Sequence, residues 1–387
     1  MRGKADRQAV LFVAAIDLEA RVRPDHPLRA IKRMADQDLG KMSRRFDAAY
    51  ADEGRPGVPP ERLIKAMLLQ SLYSVRSEAQ LVERIDHDLL FRWFLDLRVD
   101  EPVFDPTVFS HNRGRLERHG LIGAFFDGTV RRAVAAGLVS PDHFSVDGSL
   151  VEAYASVKSF KPRGQDNDKN DPGDSNGFKG RNAEVDFHGQ KRSNDTHEST
   201  TDPEAKLIRK GDGQPARLAH ALHALVENRH GLVLAVEVNS PLDNSEPRTA
   251  VSLLDRVRER FKLTPKTVGG DKGYDQGPFL LDLEGREITP HVATKDGPIG
   301  GAAGTRYRRA NADAIAARRR MRRRERTVGY AVSQRCRKKI EECFGWVKTI
   351  GGLARTRLIG HTKTGQQAHV AAAAFNLIRL RSLAAIA

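Results

Sequence analysis

The sequence predicts an α/β protein, a mixed five-stranded sheet with helices on both faces, preceded by an all-helical N-terminal domain. Three observations lead there. Residues 1–140 show helical periodicity and no convincing strand. The apolar period changes at His143. Beyond that point three strand-like segments follow one another before strands and helices begin to alternate.

In the N-terminal part, Pro59-Pro60-Glu61 opens an amphipathic helix carrying Leu63, Ile64, Met67, Leu68 and Leu72. Proline fits there because first-turn N–H groups have no helical partner. Ser77 with Gln80 forms a capping box for a second helix, striped by Leu81, Val82, Ile85 and Leu89. A third runs from about Thr107 to Arg118 with Arg113, Arg115 and Arg118. Two short helices joined by a tight turn predict either a helix-turn-helix-like DNA reader or a dimerisation module.

The second part, residues 141–387, begins with the strand-like run His143 to Leu150. Lys161 to Pro203 follows, 43 residues whose apolar members are Phe178, Ala183, Val185 and Phe187. Too little can be buried there to offset ordering, so a disordered insertion is expected. Leu218–Val226 and Leu232–Val238 then form a hairpin around Asn228-Arg229-His230-Gly231. A helix from Pro247 to Phe261, a strand Lys266–Asp271, a short helix Phe279–Leu283, a strand Ile288–Val292 and a final helix Ser333–Thr349 complete the order. Three strands followed by crossovers is the ribonuclease-H-like order.

Charge points to the partner. The 387 residues include 65 basic and 50 acidic side chains, a formal net charge of +15. Arg306 to Arg326 contains ten arginines against Asp313 and Glu325. Within this arginine-rich segment, Arg318, Arg319, Arg320, Arg322, Arg323 and Arg324 are candidate phosphate contacts, because guanidinium forks match phosphate oxygens. The longest apolar runs, Ala9–Ile16 and Val370–Phe375, fall far short of the roughly 18 residues of a membrane span. Met1-Arg2-Gly3-Lys4 leads into no cleavable leader pattern, so a cytoplasmic location and no membrane partner are expected. Two cysteines, Cys336 and Cys343, lie about 10.5 Å apart along one expected helix and cannot bridge. They are too few for a four-Cys zinc cage.

Three carboxylates carry the chemistry. Asp147 lies on the first strand, Asp271 ends the fourth, and Glu341 sits on the last helix. In the expected sheet the first and fourth strands are neighbours, so the aspartates meet and the glutamate closes the triangle. Three acids packed together repel unless they hold cations. Hard oxygen ligands suit magnesium, and a pair of divalent ions about 3.5–4 Å apart neutralises the attacking and leaving oxygens of a phosphodiester. Gly148 and Gly270, beside the aspartates, predict close approach of a bulky ligand. His220 and His223 point to opposite faces of a strand and make a poor metal pair. Trp346 is read either as a base-stacking ring or as a packed anchor.

These residues stand in recognisable text: Val146-Asp147-Gly148-Ser149, Ala155 to Ser159, Asp271-Lys272-Gly273-Tyr274-Asp275, and Ile340 to Lys348. Together with the stretch from Gly57 to Trp93, the chain resembles bacterial insertion-sequence transposases of the DDE class. The group in question has its third acid in a Tyr-x2-Arg-x3-Glu-x6-Lys signature. Arg337, Glu341 and Lys348 match that spacing, and Gln334 stands at the tyrosine position. The resemblance implies that Asp147, Asp271 and Glu341 bind two Mg²⁺ ions, for which Mn²⁺ can substitute. It further implies that they catalyse cleavage at the element's ends and strand transfer into target DNA, while Arg337 and Lys348 grip phosphates. The implied partner is double-stranded DNA, handled by a homodimer in a synaptic complex near the nucleoid. A metal-dependent nuclease that never joins, and a non-catalytic repressor derived from a transposase, are the alternatives.

Helix phase refines the last element. At about 100° per residue, Cys336, Ile340, Cys343, Phe344 and Val347 form one stripe facing the sheet. Glu341 stands at its border between Arg337 and Lys348, and Glu342 points outward.

Overall fold

The computed structural model describes residues 17–50, 57–163, 192–209, 211, 213–242, 245–299 and 311–384. Its strands are β1 His143–Glu152, β2 Phe160–Pro162, β3 His197–Ser199, β4 Lys206–Ile208, β5 Arg217–Glu227, β6 Val233–Asn239, β7 Thr267–Gly270 and β8 Thr289–Val292. The central sheet runs β6, β5, β1, β7, β8, with short β4 pairing the start of β5 on the edge that β6 otherwise occupies. The β1–β5 and β5–β6 pairs are antiparallel, and the β1–β7 and β7–β8 pairs are parallel. The five expected strands are present in the expected order, and β4 adds a sixth.

Helices cover both faces. On β5, His223 bonds Asn239, whose amide meets Thr249 on the helix Ser245–Phe261. Three residues earlier, on the opposite face, His220 meets Asp202 at 3.1 Å and the ring of His361, the first residue of the helix His361–Ala384. Both histidines are buried, each with a neighbour of its own.

The N-terminal part is helical, and the capping box at Ser77 forms as its spacing predicts, Ser77 Oγ accepting from Gln80 N. The helices Pro60–Leu72 and Thr107–Arg118 fall where periodicity puts them. Leu89, expected in the second helix, belongs instead to a separate helix, Leu89–Phe94, because Asp88 caps a new turn by accepting from Leu90 N. These helices share one continuous hydrophobic core with the sheet.

Much of that continuity comes from His361–Ala384, a helix the sequence reading did not include. It packs on β6 and on the helices Leu121–Ala135 and Pro60–Leu72. Its Asn376 accepts from Val233 N and donates to Val233 O, satisfying main-chain groups that an edge strand would leave open.

Two further expectations are corrected, and the arginine-rich segment, to which the sequence reading assigns no element, gains one. The 161–203 stretch is ordered at both ends: β2 pairs with β3, and Ser159, Ser199 and Asp202 are buried in a hydrogen-bonded cluster. Polar satisfaction, together with His197 stacked on buried Phe160, orders these ends; residues 164–191 lie outside the described ones. The arginine-rich segment is itself a helix, Ala312–Arg324, with Ala317 and Met321 buried beneath it. Arg306, Arg308 and Arg309 lie outside the described residues. Finally, the expected helix Ser333–Thr349 is two helices, Val328–Arg337 and Lys339–Thr349, because the hydrogen bonds tighten to three-residue spacing around Lys338. Cys336 therefore ends up half-buried on the first helix, outside the core stripe, and only Cys343 is buried, its thiol pushed up to about 12 by burial.

Candidate active site

The parallel register of β1 and β7 builds the site. His143 pairs with Thr267, Phe144 with Val268 and Ser145 with Gly269. Carried two residues further, that register sets Asp147 beside Asp271, where β7 ends. Asp271 is held there as the cap of a tight turn, Oδ1 accepting from Gly273 N at 2.8 Å. Asp147 Oδ1 accepts from its neighbour Gly148 N at 2.8 Å.

The glycines have a different reason from the one expected. A Cβ on Gly148 would lie 2.7 Å from Glu246 Oε1, and one on Gly270 would lie 3.2 Å from the ring of buried Tyr274. The chain's own side chains fill the space that a ligand was expected to need. Glu246, in the first turn of Ser245–Phe261, is thus a third carboxylate at this edge.

Electrostatics follow from that crowding. Burial, with Asp271 and Glu246 nearby, pushes Asp147 up to about 6 despite the Gly148 hydrogen bond and Arg337. Burial and Asp271 likewise raise Glu246. Burial and the three acids drive the Tyr274 phenol well above its ordinary range.

Glu341 is linked to Asp147 through Arg337. The Arg337 guanidinium lies 3.7 Å from Asp147 Oδ2 and 3.7 Å from Glu341 Oε1, and its Nε is buried without a hydrogen-bond partner. The Glu341 side chain is 60% exposed, against 21% for Asp147. Among the described residues no three His, Cys, Asp or Glu side chains close into a metal cage. The donor set nevertheless suits a hard divalent cation: oxygen ligands, Asp147 and Glu246 raised first by burial and then by the nearby acids, facing one arginine.

The other candidates scatter. Lys348 lies about 10.5 Å beyond Glu341 along the same helix. Arg318 clamps the fully buried Asp275 carboxylate, with a shortest contact of 2.6 Å. Arg320 and Arg324 both hold Glu284, and Arg322 donates to the carbonyls of Lys295 and Gly297. Arg319 and Arg323 are exposed. Trp346 packs against Phe375, ring centroids 5.7 Å apart. Glu342 pairs with Arg379 on the last helix at 3.1 Å. Gln334 Nε2 donates to the carbonyl of His291 at 2.6 Å.

Sequence reasoning missed Glu246 and the structural tasks inside Asp271-Lys272-Gly273-Tyr274-Asp275. An acid in a first helical turn reads as ordinary dipole compensation, which hides any further role.

A family model described as "Transposase DDE domain" matches residues 140–377, and one described as "Transposase domain (DUF772)" matches residues 16–115. No curated protein shows a significant match to the chain. Among solved structures, the chain is similar to a piggyBac transposase synaptic complex with hairpin DNA, at 8% identity over 93% of this chain and 76% of that one, TM-score 0.37. It is also similar to the Mos1 transposase paired-end complex with left transposon end, at 10% identity over 78% of this chain and 86% of that one, TM-score 0.20.

Proposed function

The chain belongs to the DDE transposase family, and we propose that Asp147, Asp271 and Glu341 are the residues with which it cuts DNA at the ends of an insertion sequence and joins them to a target. One observation carries this reading: the β1–β7 register, carried two residues past its last pair, sets Asp147 level with Asp271 just beyond the end of β7, and Asp147 is pushed up to about 6 by burial, with like charges nearby. Such a pair is costly without a cation and suited to holding one.

Divalent metal use is general in this family; bound Mg²⁺, as two ions, would neutralise the attacking and leaving oxygens of the phosphodiester. Asp147 and Asp271 would hold the metal, with Glu246 beside them. Glu341 enters from the helix side once Arg337 releases it. Arg337 then turns its guanidinium to a phosphate oxygen, a bidentate partner of the same geometry as the carboxylates it leaves. Lys348 follows the strand two turns further on.

The finer placement rests on the same residues. The strand order supports a ribonuclease-H-like sheet, and Arg337, Glu341 and Lys348 support the Tyr-x2-Arg-x3-Glu-x6-Lys group, with Gln334 bonding the β8 carbonyl of His291 in place of the tyrosine. We assign residues 1–140 to DNA binding or dimerisation and 141–387 to catalysis. Two element ends require two active copies, so the synaptic complex is a homodimer on double-stranded DNA, held at the nucleoid. The test is cleavage of end-containing DNA by Asp147→Asn and Asp271→Asn with Mg²⁺ or Mn²⁺. Loss of cutting with retained binding supports the assignment, and substantial turnover by either variant rejects it.

A further inference from the structure

We propose that a groove between the N-terminal helices and the loop following Lys339–Thr349 binds a single DNA strand, with Tyr154 as its stacking platform. The proposal rests on the transposase reading and adds a binding site to it. The groove is a cavity of about 920 Å³, walled on one side by the turn between Pro60–Leu72 and Glu78–His87 and on the other by residues 348–358. A hydrogen bond from Ser74 Oγ to the Ile350 carbonyl, at 3.0 Å, ties the two walls together.

Charge says what fits. Arg76, Lys348, Arg355 and Arg357 line the groove, and Arg76 and Arg357 are exposed. The one carboxylate on its wall, Glu78, is already paired with Arg113. A polyanion suits this lining, and a cationic ligand does not.

Three features narrow the polyanion to one strand. The volume lies near the top of the roughly 300–1,000 Å³ range of ligand pockets, room for a few nucleotides. A duplex, whose major groove alone is about 12 Å wide, does not enter such a space. Tyr154 lies two residues past β1, the strand that carries Asp147, and is 52% exposed although aromatic. A cationic groove with an exposed aromatic ring is how proteins hold unpaired strands, the cations tracking phosphates and the ring receiving a base. Gln366 also lines the groove, and its Oε1 and Nε2 are both buried with no hydrogen-bond partner. An amide offers one acceptor and two donors, complementary to a base edge. Lys348, on its wall, shares a helix with Glu341 about 10.5 Å away along the axis, which places the groove on the path of a strand leaving the acids.

Fluorescence anisotropy on the full chain without divalent metal, using a labelled short oligothymidylate and a duplex of equal length, tests this. Tyr154→Ala should weaken oligothymidylate binding roughly 5- to 150-fold, the worth of one stacked base. Tyr154→Phe should restore it. Arg76→Ala with Arg357→Ala should lower the log–log salt slope for the single strand by about 1.4 units, ~0.7 per phosphate. Duplex affinity should stay unchanged in all three. The proposal is overturned if Tyr154→Ala and the arginine pair leave single-strand affinity and slope intact, if Tyr154→Phe fails to restore binding, or if duplex binding weakens equally. Cutting is scored separately: if the variants show these strand-binding effects while the wild type cuts no end-containing DNA with Mg²⁺ or Mn²⁺, the groove is supported and the acid assignment is rejected.

Discussion

The acid edge of the sheet and the arginine helix carry opposite charges, and the fold treats them in opposite ways. At the edge, Asp147, Asp271 and Glu246 crowd together facing Arg337, and burial leaves Asp147 and Glu246 harder to ionise than free carboxyls. On Ala312–Arg324, four of the six consecutive-run arginines are matched inside the molecule, by Asp275, Glu284 and two carbonyls. The densest charge in the sequence is thus mostly spent on holding the helix to its neighbours, while a sparse set of acids keeps an unbalanced field. Charge density along a chain and charge available to a partner are different quantities, and only folding separates them.

The largest effect should come from the acids. Asp147→Asn, Asp271→Asn and Glu341→Gln should each lower cleavage by more than the roughly 10–100-fold that losing an outer partner of a metal costs. Glu342→Gln should be mild, because Glu342 is a half-exposed partner of Arg379. Initial cutting rates on end-containing DNA decide this. If Glu342→Gln proves the more damaging, the acid edge has been assigned one residue out of phase.

Next in size is Arg318→Ala. Asp275 is fully buried; burial alone would raise its carboxyl, but the Arg318 and Lys295 hydrogen bonds hold it below the usual range. Removing Arg318 strands a buried charge, at a cost of about 3–5 kcal/mol. Urea unfolding of this variant should show that loss. A stability close to wild type would mean that the arginine helix is less internally balanced than the comparison holds.

The same contrast explains what the sequence makes legible. Alternating and continuous apolar runs locate all five main strands, and their order brings Asp147 to Asp271 because neighbouring parallel strands leave little freedom of register. Helix His361–Ala384 is hidden because its polar residues gather at its two ends while its middle, Val370 to Leu377, is buried throughout, so no polar face marks a period. Strands β2 and β3 have three residues each and no alternation to read. The break at Lys338 carries no proline or glycine. Glu246 depends on a contact between a helix start and Gly148, nearly a hundred residues earlier, which no local pattern encodes.

A third, smaller effect concerns pH. Asp147 titrates near 4 when unfolded and at about 6 in the fold. Between those values the folded state binds more protons, so this carboxyl makes stability fall as pH rises through the window, by about 2–3 kcal/mol in all. Asp147→Asn should therefore be the more stable protein above about pH 6, and its advantage should disappear as the pH drops towards 4. Melting curves of the two proteins across that range, without divalent metal, provide the check. An advantage that does not change with pH would show that the acid edge is not under electrostatic load.

The smallest effect falls on the arginines that the fold leaves outward. Arg319 and Arg323 are four apart on one helix and both exposed, so they share a face and can reach the phosphates of one strand. If that face lies on DNA, Arg319→Ala with Arg323→Ala should flatten the log–log salt dependence of duplex binding by up to about 1.8 units, ~0.9 per contact. Stability should hardly move, since exposed side chains away from caps and buried pairs change it by less than about 0.5 kcal/mol. Arg320→Ala is the matched control, because its guanidinium is held by Glu284: it should disturb the slope less than the outward pair does. Equal slopes for wild type and the double variant would make the whole helix a structural clamp, and the charge that meets the duplex would have to lie elsewhere on the molecule.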